Sequence, residues 1–422
     1  MKPADVLVVG SGMAGLVAAL AASKRGRRVR LVARGAGALA IGSGCVDVLG
    51  YLEGKAVQEN PLNSLSLLPE QHPYRLVGHA SIKDALNFFT ATCAESGLCL
   101  ANESGGNIWA PTVLGTFKPT WLCPPGMNRE TLVRAETIAI ASLPWLKDVH
   151  SGMVRTGLQK QKRLQNKPVI VHEFSPYAGR THRNLTILDT ARFVDTADGE
   201  RWLTDQLLPL VERARQEALA ILVPPILGIT RTAHIRQALY SLLGCPLVEM
   251  LSPPPGVGGL RIRQALVAAL AKEGVYIEEN THIIAAKTES NSSIGRCVGL
   301  VSQGADRQRV LQARSYIIAT GGFLGGGLHA APGKAHEAIF GLDLGAPDAV
   351  TEWSSPDIFS SQPYARLGVR ADASLRAVAA DNTPLWENVF FAGRSLAGYD
   401  PVTEKNGNGV ALATGYHAGM QV

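Results

Sequence analysis

Near the start of the chain, Gly10-Ser11-Gly12-Met13-Ala14-Gly15 has the Gly-x-Gly-x-x-Gly spacing of a phosphate cradle. Each glycine in such a turn has a mechanical task. Gly10 makes the bend, Gly12 lets backbone approach a pyrophosphate, and Gly15 lets a helix pack against the preceding strand. The chemistry is capture of an anion by the free amide groups of a helix start. Strand-into-glycine units recur at Ala319-Thr320-Gly321-Gly322 and at Ala392-Gly393-Arg394, the latter followed by Asn406-Gly407-Asn408-Gly409. Gly42-Ser43-Gly44, ahead of Cys45, is another place where backbone fits against a ligand, and equally a flexible connector. Cations that suit an anionic substrate are Arg261, Arg263, Arg370 and Arg376, with a denser basic group at Arg180, His182 and Arg183; each also fits a surface or structural role.

The elements that must position these residues follow from pattern. V-L-V-V over 6–9 is a strand, 16–24 is an alanine-rich helix without proline or internal glycine, and Gly26 suits its C-terminal cap. Lys24 and Arg25 fall in the last turn, where cations suit the helix dipole. A strand over 29–33 completes a β-α-β unit. Polarity rises over 51–73, as in an excursion from the nucleotide-binding core, and 81–93 reads as a helix. Residues 74–244 are the least legible. There 112–121 has β-type residues with turn signals, V-I-V after Lys167-Pro168 reads as a buried strand, 202–219 as a helix with mixed faces, and 220–223 as a strand stopped by Pro224-Pro225. Residues 252–259 form a proline-rich loop feeding a helix over 261–273 and a strand over 275–278. Segments 282–286, 297–303 and 309–311, separated by turns such as Asn291-Ser292-Ser293, read as an antiparallel meander. Strands over 316–320 and 388–392 and a helix over 410–420 close the chain.

At 422 residues the chain suits two domains, or one large domain with an inserted lobe. Hydrophobic residues at 46% and charged residues at 18% describe a globular protein with a large interior. No apolar run approaches the ~20 residues of a membrane span; the best, 219–229, is broken by Pro224 and Pro225. Lys2 and the apolar start imitate a secretory leader, but Asp5 interrupts them and the glycine spacing has no use in one. The net charge of +6 has no dense basic block beyond 160–167, and no aromatic-interleaved basic motif accompanies it. That argues against nucleic acid and for an anionic substrate or acidic partner. Six cysteines without C-x-x-C pairing argue against an iron-sulfur cluster or structural zinc, so no metal is expected. An electron carrier would then be organic, or reside on a partner, and the expected compartment is the cytoplasm.

The order of parts, glycine turn, meander, A-T-G-G, then F-A-G and G-N-G opening a last helix, resembles the two-dinucleotide-domain flavoproteins of the fumarate reductase and glutathione reductase type. The resemblance implies an α/β fold. Residues 1–50 and 245–422 would form a Rossmann-like flavin-binding domain with a central parallel sheet and a β-meander, carrying a smaller insertion at about 328–381, and 51–244 an inserted α/β lobe. It implies cofactor contacts from Gly10, Ser11, Gly12, Met13, Ala14, Gly15, Thr320, Gly321, Gly322, Gly393, Arg394, Asn408 and Gly409, to which Arg34, Gly42, Ser43 and Gly44 are added from their place beside the opening unit. A closer likeness runs through S-G-x-x-D-x-L within 38–49, His72-Pro73-Tyr74, Leu114-Gly115-Thr116, Thr120-Trp121-Leu122, Ala191-Arg192-Phe193, Gly341-Leu342-Asp343 and Gly398-Tyr399-Asp400-Pro401. These are similar to the B-subunit family of anaerobic glycerol-3-phosphate dehydrogenases.

That likeness implies an FMN flavoprotein joined to a catalytic A subunit and a membrane-associated iron-sulfur C subunit. Electrons from glycerol 3-phosphate would pass toward menaquinone, and the chain would lie on the inner face of the cell membrane only through its complex. Oxidising an alcohol needs a base for the hydroxyl proton and cations for the phosphate. His72 is the best-placed base by the likeness, and otherwise a loop residue; Arg261 and Arg370 lead the anchors. Cys45 stands close to the flavin in sequence, as a reactive thiol or a small buried residue. Two departures bear on the cofactor. Ala33 and Arg34 stand where a carboxylate normally grips the adenosine ribose, and Arg394 where Glu or Asp is common. FMN has no such ribose, so FMN comes first and FAD is the alternative; an arginine there also admits NADP. Three readings stand open: a redox subunit, a structural partner that retains the flavoprotein fold, and a stand-alone NADP-linked reductase.

Overall fold

The computed structural model describes residues 4–102, 104–177, 185–290, 294–304 and 307–422. The basic group at Arg180, His182 and Arg183 and the Asn291-Ser292-Ser293 turn lie outside the described residues. The chain divides into two compact units, one of Met1–Leu39, Asp47–Ser96 and Ala265–Val422, the other of Ala40–Val46 and Gly97–Gln264.

The first unit is built on five parallel strands in the order Ile277–Glu278, Val29–Val32, Ala4–Val9, Ala313–Ile318, Val389–Phe391. Parallel strands put their C-terminal ends on one edge, so the turns after Val9, Ile318 and Phe391 are neighbours, at the edge where open α/β sheets bind ligands. Gly10 adopts φ +111°, and a Cβ there would collide with the Ala319 carbonyl of the adjacent turn. The opening helix, Met13–Lys24, starts three residues before the pattern suggested and is buried without interruption from Met13 to Ala22. It is covered because the closing helix, Gly407–Gln421, packs along it through small residues. A Cβ on Gly415 would strike the Ala14 carbonyl oxygen, and one on Gly419 would lie 2.5 Å from that of Ala18.

The other flank of the closing helix is taken by Pro73–Glu95, longer than the expected 81–93 and broken by Gly78 at φ 78° and ψ 157°. Ser81 Oγ meets His417 Nδ1 at 2.9 Å across that contact. This packing groups 51–96 with the first unit, whereas the sequence pattern placed those residues in the inserted lobe. The meander is present as His282–Glu289, Arg296–Gln303 and Gln308–Leu311, antiparallel in that order. The stretch expected as a smaller insertion opens with a hairpin, Leu328–Ala331 with Lys334–Glu337, and also groups with this unit.

The second unit holds four parallel strands, Leu247–Glu249, Leu219–Val223, Thr137–Ser142 and Val169–Glu173 in spatial order, and a hairpin of Ile108–Pro111 with Phe117–Thr120. The V-I-V strand is not buried as expected: it is the sheet edge, paired on one side, and Val171 is exposed. The single helix expected over 202–219 is two, Ala197–Leu207 and Val211–Gln216, separated by a 3-10 turn around Pro209, which supplies no N–H. The helix after the proline-rich loop runs over Val257–Lys272, beginning before Arg261, and the strand after it is only Ile277–Glu278. Among the described residues no helix is long and apolar enough to cross a membrane.

The helix contact gives a test. Gly415→Ala should lower unfolding free energy by about 2 kcal/mol or more, since backbone cannot yield cheaply to an added methyl. Gly35→Ala, whose Cβ would meet nothing within 4 Å, should change it by less than about 0.5 kcal/mol. Urea denaturation of both variants measures the difference.

Candidate functional site

Three turns meet on the C-terminal edge of the first unit's sheet. Gly12 stands at the N-cap of the opening helix, where no side chain caps the helix and its first turn holds no acidic residue. A Cβ on Gly12 would meet nothing within 4 Å, so the space over the first-turn amides is open. Ser11 is buried, its Oγ donating to Gly35 O at 2.6 Å, and Gly37, at φ +70°, backs the turn so closely that a Cβ would lie 2.9 Å from Gly12 N. An uncapped helix start with an open approach suits a phosphate.

The second turn is Thr320-Gly321-Gly322, with Gly321 at φ +83°. The third, Gly393-Arg394, follows the last strand; Gly393 N–H donates to Thr414 Oγ1 at 2.9 Å, and a Cβ on Gly393 would lie 2.9 Å from Ala14 Cβ. A Cβ on Gly322 would lie 2.7 Å from Arg394 Cγ. The structure therefore brings together Gly10 to Gly15, Thr320 to Gly322, Gly393 and Arg394. At the end of Val29–Val32, Arg34 is exposed, and Glu278 on the neighbouring strand is paired with Arg30 at 2.7 Å.

Other expected residues have different work. Gly42, Ser43 and Gly44 pack backbone to backbone on the start of Val257–Lys272 within the second unit: Gly259 N–H donates to Gly42 O at 3.0 Å, and Gly44 at φ +82° lies against Gly258. Cofactor contact is not needed to explain these glycines. Cys45 is the small buried residue of the two readings, its Sγ 4.0 Å from Met127 Sδ. Arg261 is corrected from substrate anchor to internal brace. Its Nη1 and Nη2 donate to Glu249 at 2.8 and 2.9 Å, and Nε and Nη2 donate to Gly228 O at 2.9 and 2.7 Å. Arg236 Nη2 adds a bond to Glu249 at 2.9 Å. Burial pushes the Glu249 carboxyl up, but the Arg261 charge and hydrogen bonds, with Arg236 and the Leu227 N–H, hold it below the usual carboxylate range. Arg370 is exposed and bonded to Asn382 Oδ1 at 3.1 Å. Arg376 pairs with Asp372 at 2.8 Å.

His72 is corrected too: it is wholly buried, and both ring nitrogens are committed. Nδ1 accepts the Tyr74 N–H at 3.1 Å as the cap of Pro73–Glu95, which leaves Nε2 to donate to Glu404 Oε2 at 3.2 Å. No lone pair remains on the ring to take a substrate proton. Glu404 also binds Asn406 Nδ2 at 2.7 Å and Arg366 at 3.0 Å. Burial raises the Glu404 pKa, and the His72 hydrogen bond and Arg366 charge outweigh it, leaving the carboxyl below its ordinary value. Arg394 donates to the Ala365 and Leu367 carbonyls and stacks 5.4 Å from the Tyr399 ring. Gly409 donates its N–H to Asp47 O at 3.0 Å and is packed beneath Tyr74, so part of the closing helix's start is covered by the chain itself; Asn408 is half-buried beside it.

Sequence reasoning missed Glu404 and named Asn406 only as the start of the closing glycine run; no local spacing links either to His72. It also missed Glu337. This carboxyl is fully buried in the hairpin opposite Leu328, its Oε2 accepting N–H bonds from Ile339 at 3.1 Å and Phe340 at 2.6 Å while Oε1 has no partner. Burial pushes its pKa up to about 7. Among the described residues no cluster of three His, Cys, Asp or Glu side chains is placed to hold a metal ion.

Two measurements follow. Glu337 has a folded pKa of about 7 against an ordinary 4.5, so the folded state holds the proton more tightly in that interval. Its contribution is fully present below the lower value and lost as pH rises through the higher, a fall of order 3 kcal/mol. Denaturation at about pH 5 and about pH 8 should show that fall in the native chain and a flatter profile in Glu337→Gln. Arg261→Met should cost about 3–5 kcal/mol by stranding Glu249, and adding Glu249→Leu should restore much of it.

The FAD binding domain family model matches residues 5–410. The B subunit of anaerobic glycerol-3-phosphate dehydrogenase from Vibrio cholerae serotype O1 is 32% identical, covering 99% of this chain and 96% of its own length. The same-named protein of Aliivibrio fischeri is 27% identical, covering 99% of this chain and 95% of its own. The structure of 3-ketosteroid delta1-dehydrogenase from Sterolibacterium denitrificans overlays with a TM-score of 0.46 at 12% identity, covering 100% of this chain and 99% of that one; nothing about activity transfers at that level. With the glycine turns gathered on one sheet edge and the match running nearly end to end, the chain belongs to the FAD-binding-domain flavoproteins and, within them, to the B-subunit family of anaerobic glycerol-3-phosphate dehydrogenases.

Proposed function

We propose that this chain is the flavin-carrying redox subunit of a respiratory glycerol-3-phosphate dehydrogenase, working with a catalytic A subunit and an iron-sulfur C subunit. The complex oxidises sn-glycerol 3-phosphate to dihydroxyacetone phosphate and sends electrons toward menaquinone, and the chain reaches the inner face of the cell membrane only through its partners. The observation that carries the reading is the open, uncapped helix start at Gly12 beside Thr320-Gly321-Gly322 and Gly393-Arg394. In this reading the amides of Met13, Ala14 and Gly15 hold the flavin's phosphate, while the two later turns border the rest of the molecule. When bound, the flavin supplies the two-electron acceptor.

The chain's own residues support a division of labour. Arg261 is spent on Glu249, Arg394 on backbone carbonyls, and His72 on Tyr74 and Glu404. In this reading substrate capture and proton abstraction belong to the A subunit, and this chain relays electrons. The family model is one for FAD. Ala33 and Arg34 at the end of Val29–Val32, in place of the carboxylate that grips a ribose there, support FMN, and FAD is the other outcome of cofactor extraction.

Purified protein should carry a flavin, and its visible band should persist when glycerol 3-phosphate is added to the isolated chain without oxygen. The band should bleach once the A and C subunits are present. Gly12→Val should reduce retained flavin by roughly tenfold or more, by filling the approach to the amides. Absence of flavin after reconstitution, or bleaching of the isolated chain by substrate, would contradict the reading.

A further inference from the structure

The antiparallel meander of the first unit frames a cleft of about 530 Å³ against the outer two strands of the five-stranded sheet, within the size range of small-molecule sites. On the meander side, Gly304 N–H donates to Arg307 O at 3.0 Å, which closes the turn into Gln308–Leu311. Past that turn Arg309 stands opposite Ser302. Alternate residues of a strand share a face, so Arg309 and Leu311 line the cleft together, and Arg307, one two-residue step earlier, lines it too. Ser302 and Leu311 are buried and make the floor, while both arginines are exposed above it. The other wall is Arg30 and Glu278, joined by two hydrogen bonds at 2.5 and 2.7 Å, with Asn280 and Thr281 after them. Asn280 turns the chain at φ 56°, a conformation asparagine tolerates, and Thr281 N–H donates to Ala33 O at 3.0 Å, which holds that bend to the sheet.

The charges of this lining do not balance. Among the described residues it carries three guanidiniums and one carboxylate. Glu278 is taken by Arg30, and neither Arg307 nor Arg309 has an ion-pair partner among the described residues. Strand residues two apart are separated by roughly 7 Å, so two like charges stand close on one face with nothing opposite to offset them. An anion seated between them relieves that repulsion. Two guanidinium forks suit the oxygens of a phosphate better than a lone carboxylate, which one fork satisfies. What remains of the lining is polar: the Asn280 amide, the Thr281 hydroxyl and the free lone pairs of Glu278 suit hydroxyl groups. No aromatic side chain lines the cleft among the described residues. A nucleobase would find no ring to stack on.

We propose that this cleft binds a phosphomonoester of a small polyol or sugar, its phosphate held by Arg307 and Arg309 and its hydroxyls by Asn280, Thr281 and Glu278. None of the three glycine turns lines the cleft. The site is therefore additional to the one read as holding flavin, and it stands or falls independently of that reading.

Calorimetric titration of the full-length chain, as purified and again after loading with flavin, tests this with glycerol 3-phosphate, glucose 6-phosphate, AMP, sulfate and a hexaglutamate peptide. At least one of the two phosphorylated carriers should bind roughly tenfold or more tighter than sulfate, in both preparations. Arg307→Gln with Arg309→Gln should weaken that binding by roughly 30-fold or more and leave the melting temperature and flavin content unchanged. Lys160→Gln with Lys162→Gln removes the same net charge from exposed residues of the second unit and should change the affinity by less than about twofold. Absence of binding by both carriers, affinity no better than that of sulfate, or an unaffected arginine double variant would overturn the proposal. Tighter binding of AMP or of the peptide would assign the cleft to another class of ligand and overturn it as well. Binding that disappears on flavin loading would place the ligand in the cofactor's space, with the same consequence.

Discussion

The closing helix can lie against the opening helix only because Gly415 and Gly419 have no side chains where Ala14 and Ala18 present their carbonyls. That close approach joins segments about four hundred residues apart and carries Gly393 to the side of Ala14, beside the opening glycine turn. Parallel strands supply the second constraint by aligning the ends of Ala4–Val9, Ala313–Ile318 and Val389–Phe391. The site is therefore a consequence of backbone packing, and glycine recurs wherever one backbone must reach another.

The same chain commits its charged interior to holding itself. Glu249 is enclosed by Arg261 and Arg236, and Glu404 by His72, Asn406 and Arg366. Removing charges from water is expensive, and each group is retained because its partners satisfy it. Arg261 and His72 are thereby committed to the interior. Their engagement supports an assignment of electron relay to this chain and of substrate chemistry to a partner.

The sequence made legible what local physics controls. A strand into Gly-x-Gly-x-x-Gly, the three strands of the meander, and the final strand and helix each depend on neighbours in sequence, and each is present in the fold. Long-range partnerships were illegible: nothing near His72 announces Glu404, and nothing near Arg261 says that its guanidinium is already bonded to Glu249 and Gly228. Gly42-Ser43-Gly44 shows the ambiguity of glycine, since close approach to a ligand and close approach to Gly256–Gly258 demand the same residue. V-I-V looked buried because its composition does not reveal that Val169–Glu173 ends the sheet.

Hydrogen exchange followed by mass spectrometry, with and without added FMN or FAD, tests most directly whether the turns at the two ends of the chain hold one molecule. Slower exchange on flavin addition at the amides of Met13 to Gly15 together with those of Thr320 to Gly322 and Gly393 to Arg394 is the predicted result. Slowing at the opening turn alone, or at none of the three, would contradict the account.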